Sequence, residues 1–140
     1  MTAWLLDTGP LVAYLDAADP RHAEVAAKLD PFHGQLFTTS SVITEAMYFL
    51  GEDPRGPRAL ADWVTTNGVV VYDFCQPPEL RSAVALMEKY ADTPMDYADA
   101  TLLLLAEALQ TYEILTLDRR GFSTFRTRDV RRPLRLVLDR

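Results

Sequence analysis

Short apolar runs alternate along this chain with longer stretches in which apolar positions recur every three or four residues. Ala3-Trp4-Leu5-Leu6 is the first run and predicts a strand over Ala3–Leu6, and Gly9-Pro10 then opens a helix over residues 11–16. Asp19-Pro20 reads as a cap followed by proline at the first helical position. It leads a helix over 21–29 in which Val25 and Leu29 are four apart. Gly34 interrupts the pattern before a second strand, Gln35–Thr39, and Ser40 or Ser41 caps the next helix, with Val42, Met47, Phe49 and Leu50 as its apolar positions. The Gly- and Pro-rich stretch 51–57 is a loop.

A helix over 58–66 follows, then a β-branched run over 69–74 that predicts the third strand. Pro77-Pro78 begins a helix to Tyr90 with Leu80, Val84 and Met87 on one stripe. The most apolar helix covers 95–110, a fourth strand covers 113–117, and 134–138 is a short edge strand. Strands alternating with helices argue for an α/β fold on a parallel sheet with right-handed crossovers. No internal repeat or second domain interrupts this order, and 140 residues suit one domain, expected over 1–140.

Composition narrows the class. Nearly half the residues are hydrophobic and about a quarter charged, the balance of a soluble globular chain. Asp7 breaks the first apolar run, so no secretory signal is expected, and no apolar block reaches the ~18 residues a membrane span needs. Cys75 is the one cysteine, which excludes an intrachain disulfide, points to a reducing cytoplasm and is expected as a buried thiol. The net charge of −6 is unevenly spread: residues 119–140 hold 8 arginines (Arg119, Arg120, Arg126, Arg128, Arg131, Arg132, Arg135 and Arg140) against 2 aspartates. Such an end suits a nucleic-acid contact or simply offsets the acidic body.

The chemistry lies in the acids. Asp7 follows the first strand and Asp118 the fourth, while Glu45 and Asp99 sit near the starts of two helices. Acids after parallel strands collect at the carboxyl edge of the sheet, where such folds keep their ligands. Carboxylates repel one another, and a hard divalent ion such as Mg²⁺ or Mn²⁺ is the commonest reason to gather them. Metal-assisted phosphodiester hydrolysis uses this arrangement, because the ion acidifies a water and neutralises the leaving oxygen without any protein nucleophile. His22 and His33 fall at a helix start and in a turn, where surface or capping roles are expected. Asp96 lies one turn before Asp99 and could act as a cap or a ligand, and Asp7 could equally cap the helix that follows it.

Leu5-Leu6-Asp7-Thr8-Gly9-Pro10, Thr44-Glu45-Ala46, Ala98-Asp99-Ala100 and Leu115-Thr116-Leu117-Asp118-Arg119-Arg120-Gly121-Phe122 together resemble the ordered motifs of PIN-domain ribonucleases, most nearly the VapC-type toxins of toxin–antitoxin pairs. The resemblance runs from Leu5 to about Phe125. It implies an α/β/α sandwich and a Mg²⁺- or Mn²⁺-dependent endoribonuclease. It also implies catalytic acids at Asp7, Glu45, Asp99 and Asp118, with Asp96 as an added candidate ligand. Thr8 and Thr116 match hydroxyl positions that support the acids, and Gly121 stands where many relatives carry a further acid. An RNA substrate, a small antitoxin protein and a homodimer using Tyr48, Phe49 and Trp63 are the implied partners. Arg119 and Arg120, beside Asp118, are the first candidates for RNA contact. A housekeeping nuclease, a non-catalytic scaffold and a receiver-like phosphotransfer domain are the competing readings. The receiver-like domain fits least, because Asp7 has no acidic neighbour and Lys28 and Lys89 are the only lysines.

Overall fold

The computed structural model describes residues 2–139, and Arg140 of the basic end lies outside them. Five strands, β1 (Ala3–Leu6), β2 (Gln35–Thr39), β3 (Val70–Tyr72), β4 (Glu113–Leu115) and β5 (Arg135–Leu136), form one sheet in the order β3-β2-β1-β4-β5. Each neighbouring pair is parallel; Leu5 pairs with Phe37 on one side and Ile114 on the other. Strand order reverses beside β1, so the carboxyl ends of β1 and β4 flank the crevice where open α/β sheets bind ligands.

Among the described residues seven α-helices flank this sheet: α1 (Thr8–Leu15), α2 (His22–Leu29), α3 (Ser40–Leu50), α4 (Gly56–Thr66), α5 (Pro77–Lys89), α6 (Tyr97–Leu109) and α7 (Arg119–Thr124). The α/β/α sandwich is therefore as expected. β1 and β2 have the expected bounds. The other three strands are shorter than their apolar runs, because pairing with a neighbour stops before the run does. α6 is buried almost all round from Ala98 to Ala106, which explains its unbroken leucine block. Its Thr101 hydroxyl meets that of Thr39 at 2.8 Å, tying the start of α6 to the start of α3.

Several local expectations are corrected. Thr39, not Ser40 or Ser41, caps α3, its hydroxyl accepting from Val42 N at 3.5 Å. Asp19 precedes α2 by a turn: its carboxylate accepts from Arg21 N at 2.8 Å and its carbonyl from His22 N, so the helix begins after Pro20 rather than at it. The buried residues of α5 are Ala83 and Leu86, whereas Leu80 and Val84 of the expected stripe are exposed. Cys75 lies beyond the short edge strand β3 and is exposed, its Sγ 3.4 Å from the Tyr97 hydroxyl, because the strand ends before reaching it. α7 follows Asp118 directly, a helix that the apolar pattern did not predict. Trp63 is half-buried on α4, its ring 5.6 Å from that of Tyr14, while Tyr48 and Phe49 are exposed.

Candidate active site

One hollow of about 590 Å³ at the carboxyl edge of the sheet is lined by Asp7, Glu45, Asp96, Asp99 and Asp118, with Thr8 beside them. The five acids come from four places in the chain: the end of β1, the middle of α3, the start of α6 and the residues after β4. None is near another in sequence except Asp96 and Asp99. The fold alone brings them together.

Asp7 is buried and caps α1. Its Oδ1 accepts from Thr8 N at 2.8 Å and its Oδ2 from the Thr116 hydroxyl at 2.7 Å. Burial pushes its carboxyl up to about 6, against the lowering effect of the Thr116 and Thr8 bonds and with smaller contributions from the charges of Asp96 and Asp118. Thr116 also accepts from Asp118 N at 3.0 Å, so one buried hydroxyl joins the segments that carry Asp7 and Asp118. The Thr8 hydroxyl donates to Glu45 Oε1 at 2.7 Å and links α1 to α3. Burial raises the Glu45 carboxyl; Thr8 opposes that, and the neighbouring Asp96 adds to it.

Asp96 and Asp99 form a reciprocal cap at the start of α6. Asp96 Oδ1 accepts from Asp99 N at 2.8 Å, and Asp99 Oδ2 accepts from Asp96 N at 3.1 Å. The cap uses one oxygen of each carboxylate. Asp99 is half-buried, and burial, with the charges of Asp7 and Asp96, drives its carboxyl to about 8, although the Asp96 amide lowers it. The charge on Asp7 is one of those that Asp99 must ionise against, so the titrations of the two carboxyls are linked.

Asp118 is exposed and caps α7, its Oδ1 accepting from Gly121 N at 3.0 Å. Gly121 makes that pose possible. A Cβ there would lie 2.3 Å from Asp118 Oδ2 and 3.1 Å from the Phe125 ring, so a side chain at 121 makes the Asp118 carboxylate shift from this pose.

Arg21, Asp19 and Phe49 also line the hollow, and sequence reasoning missed all three as site residues. Only Phe49 carried a signal, standing four residues after Glu45 and so on the same face of α3. Arg21 reaches the site through the turn before α2 and directs Nε and Nη2 to Glu24 at the surface. Arg119 and Arg120 begin α7 but do not line the hollow, and Arg119 Nε meets Asp139 at 2.9 Å. Arg128 pairs with Glu107, Arg135 with Glu113, and Arg132 lies 3.8 Å over the Tyr112 ring, so much of the basic end is engaged within the protein. His22 Nδ1 meets Ala13 O at 2.9 Å and His33 is exposed; neither belongs to the hollow.

Among the described residues no three acids, histidines or cysteines already stand close enough to share one ion. The donor set is nonetheless all oxygen, and Arg21, the basic side chain at the hollow, is paired elsewhere. An all-oxygen lining of carboxylates with no basic side chain turned onto them is the donor set that a hard divalent ion takes, so these residues fit such an ion.

Known proteins agree with this architecture. VapC20 of Mycobacterium tuberculosis, a sarcin–ricin-loop-cleaving toxin, superposes with a TM-score of 0.72 at 17% identity, over 86% of this chain and 92% of that one. Ribonuclease VapC26 of Mycobacterium tuberculosis (strain ATCC 25618 / H37Rv) is 35% identical over 123 residues, 87% of this chain and 91% of the relative. The family model of the PIN domain matches residues 4–127. The chain belongs to the PIN-domain family.

Proposed function

We propose that this protein is a divalent-metal-dependent endoribonuclease, acting as the toxin of a toxin–antitoxin pair, and that residues 1–140 form one nuclease domain. The observation that carries this reading is the convergence of Asp7, Glu45, Asp99 and Asp118 from separate elements into one hollow at the sheet's switch point. VapC26 is named a ribonuclease, and VapC20 cleaves the sarcin–ricin loop. Both support RNA as the substrate here.

In this reading Asp7 and Asp99 hold the ion most directly, with Glu45 and Asp118 completing the set and Asp96 acting chiefly as the cap that orients Asp99. A bound Mg²⁺ or Mn²⁺ supplies an acidified water and neutralises charge on the cleaved phosphodiester. The chain's own part is orientation. Thr116 fixes Asp7 Oδ2, Thr8 fixes Glu45 Oε1, and the α6 cap aims Asp99. Arg119 and Arg120 flank Asp118 and are assigned to RNA phosphates farther from the cleaved bond.

A small antitoxin protein and a second copy of the chain are the partners this reading supplies, and the cytoplasm is its compartment. Among the described residues no helix is long and apolar enough to cross a membrane. Of Tyr48, Phe49 and Trp63, Tyr48 and Phe49 are exposed surface that a twofold contact would cover, and Trp63 is half-buried. The direct test is purified protein incubated with RNA in Mg²⁺ or Mn²⁺, with and without chelator. Cleavage that needs the ion and falls by orders of magnitude in Asp7→Asn is the expected result; unaltered cleavage by Asp7→Asn removes the assignment.

A further inference from the structure

Two residues at the rim of the acidic hollow have no part in holding an ion. Phe49 stands one turn beyond Glu45 on α3 with about half its surface exposed, 53% by area. Its ring meets the edge of Tyr48, with centroids 5.4 Å apart at 76°. Phe49 lines two hollows at once: the acidic one, and an adjoining one of about 670 Å³ floored by Leu15, Ala17 and Ala18. Arg21 lines the acidic hollow too. Its pairing with Glu24 uses Nε and Nη2, so the Nη1 donors are left for another acceptor.

RNA bound for cleavage at the acids must place its neighbouring base within a nucleotide's reach of them. We propose that Phe49 and Arg21 form the subsite for the nucleotide next to the cleaved bond, Phe49 stacking on its base and Arg21 holding a phosphate. The proposal rests on the endoribonuclease reading. An aromatic face accepts any base, so Phe49 adds affinity with little sequence choice. The remaining donors of Arg21 give a polyanion one cationic contact at a hollow otherwise lined by acids. The adjoining hollow, where Asp16, Glu52, Asp53 and Arg55 stand with Leu15, Ala17 and Ala18, offers the other side of the base partly apolar surface. Nucleic acid suits this rim better than a protein helix, because the aromatic ring and the arginine bracket the acids rather than form a continuous apolar strip.

The test is single-turnover cleavage of a short synthetic single-stranded RNA spanning a site mapped from total RNA, with wild type, Phe49→Ala, Phe49→Trp and Arg21→Ala. Stacking of ~1–3 kcal/mol per base means Phe49→Ala should raise the half-saturating enzyme concentration by about tenfold to a hundredfold. The maximal rate should stay within about twofold, and Phe49→Trp should restore binding. Arg21→Ala should lower the log–log salt slope of binding by about one. Unaltered half-saturation in Phe49→Ala overturns the subsite. So does a Phe49→Ala protein that loses self-association by sedimentation while binding RNA normally, which would make Phe49 a protein contact. Absence of any cleavage by the wild type in Mg²⁺ or Mn²⁺ is a different failure: it removes the endoribonuclease reading, and the subsite with it.

Discussion

Replacing Asp99 by asparagine should change how the stability of the metal-free protein depends on pH. The Asp99→Asn side chain keeps the shape and can still accept from Asp96 N, so the cap survives while the charge goes. Burial and the charges of Asp7 and Asp96 raise the Asp99 carboxyl from 3.8 to about 8. The folded state therefore holds this proton more tightly than the unfolded chain. Its contribution is complete below the unfolded value and drains away as pH rises, until it levels off above about 8. Each unit is worth ~1.4 kcal/mol, so the loss between pH 5 and pH 8 is about 4 kcal/mol for an isolated site. Asp99 is only half-buried and solvent screens part of this, which brings the expected loss nearer ~2 kcal/mol. For a chain of this size that is a fall of about 5–10 °C in Tm. Calorimetric melting in chelator at pH 5, 6, 7 and 8 is the assay. Wild type should lose stability across the series. Asp99→Asn should retain only the smaller, earlier loss due to Asp7, whose carboxyl sits at about 6. Saturating Mn²⁺ should restore the wild type at pH 8 far more than the variant. Parallel Tm curves for the two proteins would refute the reasoning.

Two further substitutions probe the supporting hydroxyl and the glycine beside Asp118. Thr116→Val removes the bond to Asp7 Oδ2 and the acceptor for Asp118 N, costing about 1–3 kcal/mol in Tm measurements; Mn²⁺ binding should weaken most near pH 6–7 and recover at higher pH, and a superimposable pH profile would contradict this. Gly121→Ala places a Cβ 2.3 Å from Asp118 Oδ2. The lost cap and the gained helix propensity are each worth ~1 kcal/mol, so Tm should move little, while misplacement of Asp118 should cut cleavage by up to a hundredfold, on the order expected for a shift of about an ångström.

The parts of the fold legible in the sequence are those set by burial on all sides. β1 and β2 lie centrally enough that their apolar runs and their paired residues coincide, and the leucine block of α6 could only be a buried helix. At the sheet's edge that link fails. β3 pairs on one side only, so Val70 and Val71 are exposed and Cys75 falls past the strand's end. On α5, Leu80 and Val84 are spaced like a buried stripe, but the smaller Ala83 faces the core with Leu86. α7 is six residues long and opens with two arginines, too short and polar for periodicity to reveal; its signal was Asp118 three residues before Gly121, a cap. Asp7, Asp99 and Asp118 were legible because each caps or begins a helix after an apolar run or a loop, whereas Glu45 stands in the middle of α3 and was marked by its apolar neighbours. Arg21 was not legible, because a turn whose path no spacing encodes brings it to the hollow.

The central claim, that these acids exist to hold a divalent ion, is tested most directly by calorimetric titration of Mn²⁺ into metal-free wild type, Asp99→Asn and Asp96→Asn at pH 8. Asp99→Asn should lose binding by the largest factor, Asp96→Asn by a smaller one, and the wild type should release protons as the ion displaces those held by Asp99. Wild type that takes up no Mn²⁺, or that binds it equally well without the Asp99 carboxylate, would contradict the account.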